Sequence, residues 1–269
     1  GCEKPGAIDS QGQARDLSDL VPDFTPEWMA PGRLAALAAV DLQRLPLVAQ
    51  GSRLGPPVAG TRQFVAIGLN YRRHAEESGL DIPKEPVVFH KALSSLAGPD
   101  DEVRLPEASV ATDWEIELGF VIGTRASRIP VEGALAHVAG YLLANDISER
   151  DWQIKRNGQW GKGKSFDGFG PVGPWLVTAD ALPDPQAIEL TLSVNGEVMQ
   201  RSSTADMIFP VACLVSYLSQ FMTLLPGDLV ITGTPEGVGL GMKPPRFLKS
   251  GDVMTLDGGV LGRQLQRVR

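Results

Sequence analysis

Glycine and proline interrupt this chain so often that long regular elements have little room to form: thirty glycines and twenty-one prolines stand among 269 residues. Glycine readily turns left-handed and proline withholds a backbone donor, so their clusters mark turns rather than element interiors. Between them lie short apolar runs at 64–69, 87–90, 114–122, 141–144, 188–194 and 229–232, which read as strands. Asn195-Gly196 is a two-residue hairpin signal. Helical patterning is confined to 71–78, stopped by Gly79, to 131–139 and to 210–224, after a short helix and an extended piece within 31–48. These features predict an α+β, β-rich fold. The stretch 51–60, with Pro56 and Pro57, reads as a linker between a small N-terminal domain (1–60) and a main domain (61–269). Because the chain opens in mid-turn at Lys4-Pro5-Gly6 without a methionine, a strand lost upstream is expected.

Charge narrows the partners. Twenty-five Lys and Arg against thirty-two Asp and Glu give a net charge of -7, which leaves no global positive field for phosphate backbones or anionic lipid. Neither nucleic acid nor membrane is an expected partner. Cys2 and Cys213 lack metal-type spacing and cannot form a disulfide framework, which suits a reducing, cytoplasmic setting. Gly1-Cys2 resembles the start of a lipidation signal, but Pro5 and Gly6 do not continue it. The apolar stretch 214–225 carries Ser216, Ser219 and Gln220 and falls short of the roughly 18 residues a membrane span needs.

The run Trp114-Glu115-Ile116-Glu117-Leu118-Gly119-Phe120-Val121-Ile122 puts two carboxylates at alternate positions. On a strand they share a face, roughly 7 Å apart along the backbone. An isolated pair of that kind is ordinarily the wet face of a half-buried strand. Here the glutamates' face continues with Gly119 and Val121 while the other carries Ile116, Leu118, Phe120 and Ile122, so both faces read as covered. Buried carboxylates need a proton, a base or a metal, since a bare anion in a low-dielectric interior costs several kcal/mol. Asp146 follows the apolar run 141–144, and the 29 positions separating it from Glu117 leave room for a helical crossover that returns the chain alongside. Three oxygen ligands without Cys or His suit a hard ion, Mg2+ or Mn2+ ahead of Ca2+ or Zn2+.

Three further motifs carry candidate chemistry. Gly158-Gln159-Trp160-Gly161-Lys162-Gly163-Lys164-Ser165 satisfies the GxxxxGK[ST] pattern of a phosphate-binding loop. Its surroundings argue against one, because 149–153 is polar where a strand is required and 166–171 is too rich in Gly and Pro for a helix. Lys164 is then either an ordinary solvated lysine or a cation placed for a developing anion. His74 and Glu77 stand three residues apart on the 71–78 helix, which Asn70 is placed to cap. The carboxylate can orient the imidazole as a general base, although a surface histidine would look the same. His90 and His137 have no better company. The loop Gly233-Thr234-Pro235-Glu236-Gly237-Val238-Gly239 is an ordinary turn or, through its N–H groups and the Thr234 hydroxyl, a cradle for a carboxylate.

Taken in order, Gly68-Leu69-Asn70-Tyr71 with His74 and Glu77, residues 89–95, Glu115 and Glu117, Asn145-Asp146, Arg150-Asp151-Trp152-Gln153, Gly163-Lys164-Ser165, Val194-Asn195-Gly196, Pro226-Gly227-Asp228 and Thr232-Gly233-Thr234-Pro235 resemble the fumarylacetoacetate hydrolase superfamily. The resemblance covers about residues 61–269. One departure is His90-Lys91-Ala92, where many relatives have Lys-Pro, but Lys91 is retained. The resemblance implies a mixed β-sandwich roll with a small N-terminal domain, usually homodimeric, and metal-dependent cleavage of a C–C bond in a 2,4-diketo acid. It implies Mg2+, with Mn2+ as the alternative, held by Glu115, Glu117 and Asp146. It gives His74, Glu77 and Lys164 catalytic roles and puts Lys91, Gln153 and Thr234 on a small-molecule oxo acid substrate. The stretch 158–171 further resembles bacterial members acting on 2,4-diketo-3-deoxy sugar acids of the rhamnonate and fuconate type, which release pyruvate and a hydroxy acid such as lactate. Relatives with nearly the same site include acylpyruvate hydrolases, oxaloacetate decarboxylases and 2-hydroxymuconate-type isomerases. They differ in whether water or only a proton is delivered.

Overall fold

The computed structural model describes residues 3–269, so the Gly1-Cys2 reading lies outside the described residues. Ten strands build its two main sheets: β1 (Phe64–Gly68), β2 (Val87–His90), β3 (Ile116–Ile122), β4 (Val138–Asn145), β5 (Val177–Thr178), β6 (Glu189–Val194), β7 (Glu197–Ser203), β8 (Leu229–Ile231), β9 (Val253–Asp257) and β10 (Arg263–Arg267). The helices used below are α1 (Pro31–Ala38), α2 (Arg72–Ser78) and α3 (Val211–Phe221). The larger sheet runs β5-β4-β3-β8-β1-β2 and is mixed: β8 pairs parallel with β1 and the other neighbours are antiparallel. The smaller, β7-β6-β9-β10, is wholly antiparallel. Neither sheet closes on itself, and the architecture is the mixed, β-rich α+β type expected from the punctuated sequence. No helix among the described residues is long and apolar enough to cross a membrane.

Side-chain alternation explains how the larger sheet is covered on both faces. Along β3, Ile116, Leu118, Phe120 and Ile122 enter a core with Leu190, Leu192 and Val194 of β6, Met254 and Leu256 of β9, and Leu214 and Leu218 of α3. Val121 points the other way, into a core with Phe64, Ala66, Leu142 and Ile231, closed by Met29 and Val58 from the N-terminal part. That part contributes a Gly6–Ile8 and Ala14–Asp16 hairpin and α1, and residues 51–60 are irregular. All seven residues of β3 are buried as a result, which turns any carboxylate in this region into an interior group. At the far edge of the fold, β6 and β7 meet at Asn195-Gly196 with φ of 52° and 82°, the doubly left-handed turn that this residue pair favours.

Several local expectations are corrected. Residues 131–139 form no single helix: Val131–His137 is a 3-10 segment and Val138 already belongs to β4. The N–H groups of Gly123 and Thr124 both donate to His137 O, at 2.8 and 3.2 Å, and tie the end of that segment to the sheet. The link between Glu117 and Asp146 is therefore no crossover, because β3 and β4 are antiparallel neighbours with Glu117 opposite Ala144. The strand expected at 114–122 begins only at Ile116. Helix α3 is shorter than 210–224, since Leu224 exchanges two 2.9 Å backbone bonds with Ala126 instead of continuing the helix. Asn70 does not cap α2, where Tyr71 holds the cap position without a side-chain bond. Asn70 is fully buried, donates to Phe209 O and Thr232 O at 3.1 and 2.8 Å, and accepts from Phe209 N at 2.8 Å. Its amide has more bonds to make across these segments than at a helix end.

Candidate metal centre and active site

Glu115 precedes β3, Glu117 lies within it, and Asp146 follows β4. Because Ile116 is in register with Asn145, the chain just before β3 meets the chain just after β4. The Asp146 N–H donates to Glu115 O at 2.8 Å, which fixes the two backbones against each other. One oxygen from each of Glu115, Glu117 and Asp146 then lies within 4.8 Å of the others, and all three residues are buried.

Three cations face this cluster. Lys164 Nζ donates to Glu115 Oε2 at 2.6 Å and to Asp146 Oδ2 at 2.7 Å. Lys91 Nζ donates to Asp146 Oδ1 at 2.6 Å, to Phe169 O at 3.1 Å and to Lys164 O. Arg150 Nη1 pairs with Glu115 Oε1 at 2.7 Å, while its Nε and Nη2 reach Asp113 Oδ2 at 2.8 and 2.7 Å. The Lys91 and Lys164 ammonium groups also lie over the Phe64 and Phe89 rings, 5.7 and 5.5 Å from the centroids. Four buried carboxylates, counting Asp113, thus oppose three cations. Glu117 is the one left over: its Oε2 accepts from Gly233 N at 2.7 Å, and its Oε1 is buried with no partner among the described residues. An unpaired interior oxygen beside two further carboxylates is the arrangement a hard divalent cation fits, with oxygen donors only and one negative charge uncompensated.

The charges separate the glutamates. Burial raises the Glu115 carboxyl, but Lys164 and Arg150 overcome that and hold it at about 2. Burial, then the Asp146 and Glu115 charges, push Glu117 well above the usual carboxylate range. Desolvation lowers Lys91 in spite of Asp146, whereas Asp146 and Glu115 outweigh desolvation at Lys164 and raise it.

The remaining predicted residues fall around this centre. His74 Nδ1 is 3.0 Å from Glu77 Oε2, and the other Glu77 oxygen accepts from Gly237 N at 2.9 Å, so helix α2 is bonded to the 233–239 loop. Gln153 sits on a five-residue π turn, Asp151–Lys155, and its Oε1 accepts from Arg150 Nη1 at 2.9 Å. Thr234 donates to Ile116 O at 2.9 Å and accepts from Gln200 Nε2 at 2.8 Å, so its hydroxyl is committed within the protein. The cradle expected at 233–239 does bind carboxylates, but they are the chain's own. Gly233, Gly237 and Gly239 donate to Glu117, Glu77 and Asp113, and Gly233 reaches its partner through a φ of +93° that favours glycine. The 158–165 motif follows the π turn rather than a strand and ends in a single helical turn, Gly161–Lys164, that turns Lys164 inward. Gly163 is the close-approach point there, since a Cβ would run into Glu149 O and the Gln153 backbone.

Asp113 belongs to none of the sequence motifs, and Arg150 stands in one of them, Arg150-Asp151-Trp152-Gln153, without a role. Both are buried charges, and only Asp113, directly before the 114–122 run, offers a local signal; Arg150 stands in the polar stretch 149–153, and their partnership spans 37 positions and leaves no local pattern.

Comparison with known proteins gives the family and the fold. Residues 63–269 match the family profile described as fumarylacetoacetate (FAA) hydrolase C-terminal. A protein of Burkholderia orbicola, provisionally named a hydrolase, is 53% identical over 270 residues, covering 100% of this chain and 96% of its own. The fumarylacetoacetate hydrolase of the psychrophile Exiguobacterium antarcticum superposes with a TM-score of 0.88 at 36% identity, over 98% of this chain and 94% of that one. A fumarylpyruvate hydrolase from Pseudomonas aeruginosa, solved with Mn2+ and pyruvate, gives 0.71 at 36% identity over 83% and 98%. A 2-hydroxyhepta-2,4-diene-1,7-dioate isomerase from Mycobacterium marinum gives 0.71 at 30% identity over 100% and 98%.

Proposed function

The chain belongs to the fumarylacetoacetate hydrolase family, and from that premise we propose that it is a divalent-metal-dependent hydrolase of 2,4-diketo acids, cleaving a C–C bond to release pyruvate and a carboxylic acid. The observation carrying the proposal is the convergence of Glu115, Glu117 and Asp146 in the interior with one Glu117 oxygen unpaired among the described residues. Mg2+ is the proposed ion and Mn2+ its substitute; the Pseudomonas relative, which holds Mn2+ and pyruvate, supports both the ion class and the product. The chemistry a divalent cation supplies at such a site is electrophilic, chelating a 2-oxo-carboxylate and offsetting charge as it develops.

The chain's own residues do the rest. Glu77 holds His74 Nδ1, leaving Nε2 to take a proton from water. The water oxygen bonds to C4 of the substrate, the C3–C4 bond breaks, and its electron pair stays on the pyruvate fragment as an enolate. The proton held on His74 is then delivered to C3, giving pyruvate and restoring the neutral imidazole, while C4 leaves as the carboxylic acid. Lys164 remains a cation beside the charge that forms, and Lys91, Gln153 and Thr234 border the substrate. The finer reading is a 2,4-diketo-3-deoxy sugar acid of the rhamnonate or fuconate type, with lactate as the second product, in a cytoplasmic homodimer whose N-terminal domain spans 1–60.

A second reading has support from the isomerase relative, which shares the whole chain length. There, or in an oxaloacetate decarboxylase, a proton alone is delivered. Pyruvate release from an acylpyruvate, assayed with and without EDTA, tests the proposal: activity should vanish on chelation and return with Mg2+ or Mn2+. Equal rates in both, or turnover confined to oxaloacetate or a ring-cleavage product, would overturn it.

A further inference from the structure

Glu115 lies outside the strand ladder, in the gap between the Thr112–Asp113 strand and β3, yet its carboxylate has to meet two others. Its backbone N–H is taken by a side chain: it donates to Asn145 Oδ1 at 3.1 Å. Asn145 Nδ2 donates in turn to Gln266 Oε1 at 3.1 Å and touches Met254 Sδ at 3.6 Å. Gln266 Nε2 donates to Gln264 Oε1 at 2.9 Å and to Pro99 O. Gln264 Nε2 ends the chain on Leu143 O and Gly173 O, both at 2.9 Å. Three side-chain amides, each at most 2% exposed, therefore run head to tail from the C-terminal strand β10 to the peptide of Glu115.

Two features separate this chain from ordinary core polarity. Every amide oxygen in it receives an N–H and every amide nitrogen gives one, so reversing any single amide would oppose two acceptors or two donors. The Glu115 peptide is also held at both ends by consecutive residues, its N–H by the Asn145 side chain and its carbonyl by the Asp146 N–H at 2.8 Å. Apolar residues would fill the same inner face of β10 without the 1–3 kcal/mol risk that each unpaired buried amide carries.

We infer that Asn145 and Gln266 are positioning residues that fix the Glu115 carboxylate relative to Asp146 for a divalent cation. This rests on the metal reading above. Neither residue touches the ion or the substrate; each acts through the Glu115 peptide, and Gln266 acts through Asn145.

The test is Mn2+ binding, followed by electron paramagnetic resonance of the free ion, on the full chain and on Asn145→Ala and Gln266→Met. The expected result is a dissociation constant raised about tenfold or more by Asn145→Ala, in the range outer partners of metal ligands command, and a smaller rise in the same direction for Gln266→Met. Leu192→Ala, a buried β6 change off this chain, should lower the melting temperature but leave the constant within about twofold. Because both variants leave buried groups unpaired and can fail to fold, hydrogen exchange on the unaltered protein gives a second measure. The Glu115 amide should exchange as slowly as the β3 ladder amides, and exchange at the rate of open loops would overturn the inference. So would Mn2+ constants in both variants within twofold of the unaltered protein. If the unaltered protein binds no Mn2+ at all, the metal reading falls, and the inference with it.

Discussion

Asp113 offers the sharpest stability prediction. Its carboxylate is completely buried and faces only donors: Trp114 N and Gly239 N on Oδ1 at 2.8 and 2.7 Å, and Leu240 N at 3.0 Å with the Arg150 guanidinium on Oδ2. Asp113→Ala removes one partner of a buried ion pair, which costs about 3–5 kcal/mol, and leaves the Gly239 N–H unpaired as well. Asp113→Asn is no conservative rescue, because either orientation of the amide turns its NH2 toward N–H groups, so its loss should approach that of alanine. Against a total stability of about 5–15 kcal/mol this is a large share. At roughly 2–4 °C per kcal/mol for a chain of this size, the melting temperature should fall by about 6–20 °C. Urea unfolding monitored by circular dichroism measures it, with Arg44→Ala as the comparison: that arginine pairs with Asp41 while 85% exposed and should change stability by no more than about 0.5 kcal/mol. A loss below about 1 kcal/mol for Asp113→Ala, with an unchanged m-value, would refute the reasoning that this pair anchors the site.

Further predictions concern the chemistry and the packing. His74→Ala should lower kcat by roughly 10²–10⁴ with little change in KM, read from steady-state pyruvate release; unchanged turnover would assign the proton to another base. Glu77→Gln should cost less than His74→Ala in the same assay, and should also loosen α2 from the 233–239 loop, visible as faster amide exchange at Gly237. Gly163→Ala should lower the melting temperature even though alanine outranks glycine by about 1 kcal/mol in a helix, because the added Cβ collides with the Glu149 carbonyl and the Gln153 backbone. Leu192→Ala should cost about 2–5 kcal/mol in urea unfolding, as a fully buried side chain of the core shared by both sheets.

What the sequence made legible follows a physical division. Short apolar runs between glycines and prolines exposed the strands, the residue pair itself the Asn195-Gly196 turn, and period-two alternation the covered faces of β3, because these depend on neighbours within a few residues. The same alternation, with Asp146 behind an apolar run, pointed to the acidic triad that the fold brings together. The i,i+3 spacing of His74 and Glu77 was equally local, and the fold places them in contact. The failures were long-range. The 131–139 segment has a helical pattern, yet its end is taken by Gly123 and Thr124 across the sheet. Asn70 has a capping residue's chemistry, yet it is engaged by Phe209 and Thr232, about 140 and 160 positions away. Asp113, Arg150 and the amide chain through Gln266 act through partners that only the folded sheets supply.

The central claim is that Glu115, Glu117 and Asp146 jointly hold a divalent cation, and anomalous scattering from a crystal soaked with Mn2+ and pyruvate tests it most directly. The account predicts one strong manganese peak within roughly 2.5 Å of an oxygen from each of the three carboxylates, with pyruvate oxygens on the same ion. A peak elsewhere, or none while Glu115 and Asp146 stay bound to Lys164, Lys91 and Arg150, would contradict it.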